Sequence, residues 1–193
     1  AEGDAIFLAS LDMKLNKRLL NAPGNVAYAA GYMFFTRKAI LMAQRFDEDA
    51  LELKGGAIPI AGEVLHDANV GLAIFAVSNT GILVYQTGGE TGDARLLIVD
   101  RSGKEVRLLG EAAQHGAPRF SRDGKYVAVH TYNAESHNQN VWMYDVGRGN
   151  KIRLTSAISY ETTPIWSPDD SRIIYTRQSG GHYSIYQRST RGI

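Results

Sequence analysis

The stretch APRFSRDGKYVAVHT, residues 117–131, decides the fold, because residues 163–177 repeat it as TPIWSPDDSRIIYTR. Pro118 pairs with Pro164, Phe120 with Trp166, Ser121 with Ser167 and Asp123 with Asp169, all at an offset of 46. Further on, NVWMYD (140–145) pairs with SIYQRS (184–189) at an offset of 44, so the intervening loop has lost two residues. A strand-rich repeat of about 40–45 residues is the signature of a β-propeller, one four-stranded blade per repeat. The sequence therefore predicts an all-β chain holding about four blades' worth of four-stranded antiparallel repeats.

Outward from that pair, residues 115–155 make a complete unit, and residues 161–190 make one that stops after its third strand. Upstream, LAIFAVSNTGILVYQT (72–87) alternates, turns through Asn79-Thr80-Gly81 and alternates again, as a hairpin does. A second hairpin, RLLIVDRSGKEVRLLG (95–110), turns at Arg101-Ser102-Gly103 and completes a unit spanning 66–110, with the Gly-rich GGETGD (88–93) as its loop. The unit at 25–61 is the most degraded. Its KAILMAQRFDEDALELK (38–54) is rich in helix formers, but the repeat register favours strands. The same conflict arises at 4–20, where Leu8, Leu11, Leu15 and Leu19 have helical spacing. There IFLASL aligns with VWMYDV at 141–146, and Arg18-Leu19-Leu20 with Arg153-Leu154-Thr155, both at an offset of 135. These residues read as the third and fourth strands of a partial blade. One propeller segment is expected over 1–193.

Each repeated residue has a structural account. Phe120 and Trp166 are expected to fill the wedge where neighbouring sheets pack. Ser121-Arg122-Asp123-Gly124 and Ser167-Pro168-Asp169-Asp170 read as the tight turn into the second strand. Arg122 where the other copy has Pro168, Asp170 where the other copy has Gly124, and Ser78-Asn79-Thr80-Gly81 in the third unit are expected to loosen that turn but leave the hairpin possible.

Composition bounds the rest. The chain has 193 residues, 44% hydrophobic and 21% charged, with 21 basic and 20 acidic side chains. A formal charge of +1 gives no clustered basic face for nucleic acid. No apolar run reaches the ~18–20 residues of a membrane span, and the absence of Cys excludes disulfides and thiolate chemistry. Ala1 reads as a processed end or a boundary inside a longer chain.

The two best repeats, PRFSRDGKYVAV…NVWMYDVGRGNKIRLT and PIWSPDDSRIIYT…SIYQRS, resemble the repeat of the TolB-like, WD-like bacterial β-propellers. The segment 32–61 is also similar to propellers fused to bacterial Ser/Thr kinases and transcriptional regulators. The resemblance implies a six- or seven-bladed ring acting as a sensor or docking surface, and it favours a periplasmic or other extracytoplasmic location.

Candidate chemistry is sparse. His66, His115, His130, His137 and His182 show no metal-ligand spacing, so no metal or other cofactor is expected and loop histidine is the better reading. Ser121 and Ser167 are turn formers, and no Gly-x-Ser-x-Gly elbow is present. One position stands apart. His115 and Glu161, aligned at an offset of 46, precede the inner strand, where propellers present residues to the channel mouth. With Tyr160 and His66 they form the candidate binding site, the competing account being solvated loop polarity.

The reading is a non-enzymatic module that binds or senses a protein or peptide, with neither nucleic-acid binding nor membrane insertion. The alternative is the accessory, gating propeller of a prolyl-oligopeptidase-like hydrolase; a propeller lyase is disfavoured by the scattered histidines. Starting and ending in mid-blade, the chain is also expected to form a strand-sharing homo-oligomer or to belong to a longer protein.

Overall fold

The computed structural model describes residues 4–67, 72–87, 94–100 and 103–191. The loop expected at 88–93 and the turn residues Arg101 and Ser102 lie outside them. Every regular element among the described residues is a β-strand. The chain divides into two compact units, residues 1–73 and 74–193.

In the first unit, β1 (Ala5–Ala9) pairs antiparallel with β2 (Asn16–Asn21). Then β3 (Ala27–Ala29), β4 (Tyr32–Arg37), β5 (Ile40–Asp47) and β6 (Glu52–Ala61) form a four-stranded up-and-down sheet. A short pair, β7 (His66–Asp67) and β8 (Leu72–Ala73), follows. Strand wins over helix at 38–54 because burial has a period of two. Met33 and Phe35 on β4 are buried on one face, and Leu41 and Ala43 on β5, opposite Thr36 and Phe34, on the other. Each pair keeps the i, i+2 spacing of a strand, which a helix would scatter round its axis. The hairpin turns reinforce this. Ala30-Gly31 and Lys38-Ala39 have φ of 50°, 81°, 49° and 61°, the paired positive values that match a two-residue turn to the twist of its strands.

The second unit is one ten-stranded sheet path. Its strands are β9 (Phe75–Val77), β10 (Leu83–Thr87), β11 (Ala94–Val99), β12 (Glu105–Phe120), β13 (Tyr126–Asn133), β14 (Asn138–Asp145), β15 (Lys151–Arg153), β16 (Tyr160–Trp166), β17 (Arg172–Ser179) and β18 (His182–Ser189). Where the sequence reading placed a break between 110 and 115, β12 runs unbroken. Its first half pairs with β11 and its second half with β13. Gly110 (φ 68°) makes the bend, and a side chain there would collide with the Tyr144 ring, 2.8 Å from the phenol oxygen. One strand thus serves as the outer edge of one repeat and the inner edge of the next.

The repeat is reproduced down to its irregularities. His115 lies opposite Thr131, and Glu161 opposite Arg177. Both inner strands then bulge, at Gly116–Arg119 and at Thr162–Ile165, with Ala117 (φ 45°) and Thr163 (φ 50°) in the left-handed region. Phe120 packs against a core made by Val84, Leu96, Leu109, Val127 and Val129, between successive repeats. Trp166 packs against the next core, formed by Ala128, Val141, Met143, Leu154, Ile173 and Tyr175. Its indole N–H donates to the Arg119 carbonyl at 2.9 Å. The wedge aromatic is therefore pinned as well as packed.

The turns correct an expectation. Ser78–Gly81, Ser121–Gly124 and Ser167–Asp170 all close the same way, with the fourth N–H donating to the first carbonyl at 3.0, 2.9 and 2.9 Å. In each, the Ser hydroxyl bonds to the side chain two residues on, which is Thr80, Asp123 or Asp169. Asp170 does not loosen its turn. It adopts φ 55°, and its carboxylate accepts the N–H groups of Arg122 (2.9 Å) and Asp123 (3.3 Å), clasping one repeat's turn to the next. Gly124 occupies the equivalent place at φ 71°, where a Cβ would stand 2.8 Å from the Thr80 hydroxyl. Gly124→Ala should therefore cost about 1–3 kcal/mol. Gly180→Ala, also at positive φ (59°) but with nothing within 4 Å, should cost only the backbone strain, about 1 kcal/mol. Equal urea midpoints for the two variants would show that the turns do not press on one another.

Candidate functional site

The aligned pair His115 and Glu161 does not behave as solvated loop polarity. His115 is 5% exposed and Glu161 is fully enclosed. Burying such groups is costly unless their hydrogen-bonding capacity is met, and here it is met by the cross-strand partner at the same register position.

The His115 Nε2–H donates to the Glu111 carbonyl at 3.3 Å, since a carbonyl can only accept. Nδ1 is left to accept the Thr131 hydroxyl at 2.9 Å. The ring stands edge-on to Tyr144, with centroids 6.3 Å apart. Burial, reinforced by the nearby Lys151 charge, holds the imidazole below its ordinary value of 6.5, although the Glu111 carbonyl works the other way. His115 is therefore a neutral histidine at physiological pH.

In the next repeat the same slot holds an ion pair. Arg177 donates to Glu161 Oε1 from Nε (3.0 Å) and Nη2 (2.7 Å), and its guanidinium lies 4.1 Å from the Tyr186 ring centroid. The other carboxylate oxygen accepts from Asn140 Nδ2 at 2.9 Å. Asn140 Oδ1 in turn accepts from Arg153 Nη2 at 2.6 Å. A chain of polar contacts thus runs Arg177–Glu161–Asn140–Arg153, and Asn140 and Arg153 reach the cavity in which His115 sits.

That cavity, about 210 Å³, is lined by Glu111, His115, Asn140, Trp142, Lys151 and Arg153 among others. Trp142 forms its platform, with the Lys151 ammonium 5.3 Å and the Arg153 guanidinium 5.7 Å from the ring centroid. Two larger grooves, about 450 and 510 Å³, lie at the opposite, turn end of these strands and involve Ile82 and Val146. The larger is lined by Lys125 and Arg148 beside Asp123 and Asp145, with Lys125 paired to Asp123 at 3.2 Å.

Of the four residues expected at the site, His115 lines the cavity and Glu161 stands one hydrogen bond behind it, through Asn140. Tyr160 is 42% exposed and is not in the lining. His66 belongs to the other unit, where its Nε2 is 3.3 Å from the Thr36 hydroxyl. The sequence reading missed Asn140, Trp142, Lys151 and Arg153 as site residues. Their signal was present in the paired ends of the third and fourth strands, Trp142 opposite Arg153 and Tyr144 opposite Lys151. Among the described residues no group of three or more His, Asp or Glu is placed to hold a metal.

Two outcomes are expected. A histidine kept neutral by burial contributes its full stability above its ordinary value, near 6.5. It loses that stability as the pH falls from there to its lower folded value, because the unfolded chain takes the proton first. His115→Gln should cost about 1–3 kcal/mol at pH 8, and the gap to the parent protein should narrow at pH 5. A gap that stays constant in urea titrations at the two pH values would rule out a buried neutral imidazole. Glu161→Ala, which strands Arg177 and Asn140, should cost about 3–5 kcal/mol, with much of it recovered when Arg177 is also replaced by Met. Additive losses in the double variant would contradict the pairing.

No family model matches the chain. Among solved structures it is similar to a protein designated TolB from Agrobacterium tumefaciens, with a TM-score of 0.75 at 16% identity over 97% of this chain and 66% of that one. TolB from Acinetobacter baumannii gives 0.72 at 16% identity, over 98% of this chain and 47% of that one. A prolyl endopeptidase gives 0.64 at 12% identity over 87% of this chain and 28% of that one. The chain therefore spans less than two thirds of either TolB. At these identities the likeness is one of fold, and the fold of this chain is that of the TolB-like β-propellers.

Proposed function

We propose that this chain is a non-enzymatic propeller module that binds a protein or peptide partner at the cavity around His115. The observation that carries the reading is how the polar groups there are used. Both ring nitrogens of His115 are committed to Thr131 and Glu111, and both Glu161 oxygens to Arg177 and Asn140. Groups fixed in this way build a rigid wall but leave no free general base or acid to act on a substrate. Pre-organised walls with an aromatic platform and a few oriented polar groups are what recognition sites need.

The gating propeller of a larger hydrolase is the second reading, supported by the fold likeness to a prolyl endopeptidase. It makes no demand on this cavity, and the placement of Trp142, Lys151 and Arg153 favours the first.

Selecting random displayed peptides on the whole chain tests the proposal. Enriched peptides should bind the parent protein and lose at least about tenfold in affinity, roughly one side-chain contact's worth, when Trp142 is replaced by Leu. Peptides that bind Trp142→Leu as well as the parent protein would move the site elsewhere, and a selection that enriches nothing would count against a peptide-binding module.

A further inference from the structure

The cavity is lined by two cations, Lys151 and Arg153, and one acid, Glu111, and among the described residues neither cation is in a close ion pair. Among the described residues no carboxylate lies within 4.0 Å of Lys151 or Arg153, although six ion pairs of that kind are formed elsewhere. Both cations flank one indole ring, at 5.3 and 5.7 Å from its centroid. The ring's negative face offsets part of their mutual repulsion but cannot neutralise it.

Arg153 is not a loose surface side chain. Its Nε donates to the Thr155 carbonyl at 2.9 Å and Nη2 to Asn140 Oδ1 at 2.6 Å, and among the described residues the Nη1 edge has no hydrogen-bond partner. Asn140 is itself fixed by Glu161, so the orientation of this guanidinium is set by a buried network rather than by chance. Lys151 is exposed, and among the described residues its ammonium has no hydrogen-bond partner. Glu111, the acid of the lining, offsets one of the two positive charges, and its backbone carbonyl accepts from His115. With His115 neutral, the lining keeps a surplus of positive charge.

We infer that this cavity accepts the carboxylate of an acidic side chain from an extended peptide, held between Lys151 and the free edge of Arg153 with its methylene stem against Trp142. The inference rests on the binding-module reading above and adds the chemistry of the partner. A volume of about 210 Å³ has ample room for one Asp or Glu side chain. Charge complementarity of this kind fixes which peptide binds more than how tightly it binds.

The probes are two amidated, fluorescently labelled peptides, one alternating Gly and Glu and the other Gly and Gln, titrated into the whole chain at low salt. The Glu peptide should bind at least about tenfold more tightly, the loss expected for one removed charge contact. Lys151→Glu should abolish that preference and Lys151→Arg should keep it. Because Lys151 is exposed, neither change threatens folding. Inorganic phosphate is the competing source of negative charge. Displacement of the peptide only by large excess supports a peptide site, whereas displacement at equal concentration makes this a simple anion site and overturns the inference. A Gln peptide that binds as tightly as the Glu peptide, while still sensitive to Trp142→Leu, would overturn the carboxylate assignment and leave the binding module intact. Failure of the Glu peptide to bind the parent protein would also overturn it.

Discussion

A four-stranded meander has two faces and too little sheet to bury either one alone, and most of this structure follows from that constraint. Val127 and Val129 of β13 point to one core, and Ala128 of the same strand to the next. The sheet that contains β13 is thus made stable by the repeat on either side. The aromatic on the inner strand is the joint. Phe120 closes onto the preceding repeat, and Trp166 closes onto its own predecessor while its indole N–H takes up the Arg119 carbonyl. On β18, Ile185 (77% exposed) and Tyr183 (69%) meet solvent.

Stacking repeats also fixes where polar chemistry can sit. Along the body of the sheet the faces are apolar, and at the turn end Asp170 ties one Ser-rich turn to the next. At the other end the inner strand enters beside the previous repeat, and there each repeat spends one cross-strand pair on polar contact. In one repeat that pair is His115 with Thr131, neutral and cavity-facing; in the next it is Glu161 with Arg177, charged and sealed. One backbone slot thus carries two different chemistries, and Asn140 couples them. The cavity owes its rigidity to this coupling, since its Arg153 is held by a residue that is in turn held by the buried carboxylate.

The sequence by itself determined the repeat, its all-β character and the strand identity of stretches such as 38–54, whose local propensity favours helix. Alternation and register are one-dimensional, and the offset of 46 between Pro118 and Pro164 is visible without coordinates. It also pointed to His115 and Glu161 as special positions, because alignment placed them in one slot. Their environment was not legible there. Burial of an ionisable group depends on which strands pass across it, and Thr131, Arg177 and Asn140 come from hairpins 16 to 21 residues away. The role of Asp170 was hidden for the same reason, since its partners Arg122 and Asp123 lie 48 and 47 residues earlier. Only the stacking of one repeat on another turned an apparent defect in a turn into a clasp, and tied Arg153 through Asn140 to the buried Glu161 of the next repeat: a repeat states what each unit is made of, while the contacts between units exist only once they are packed.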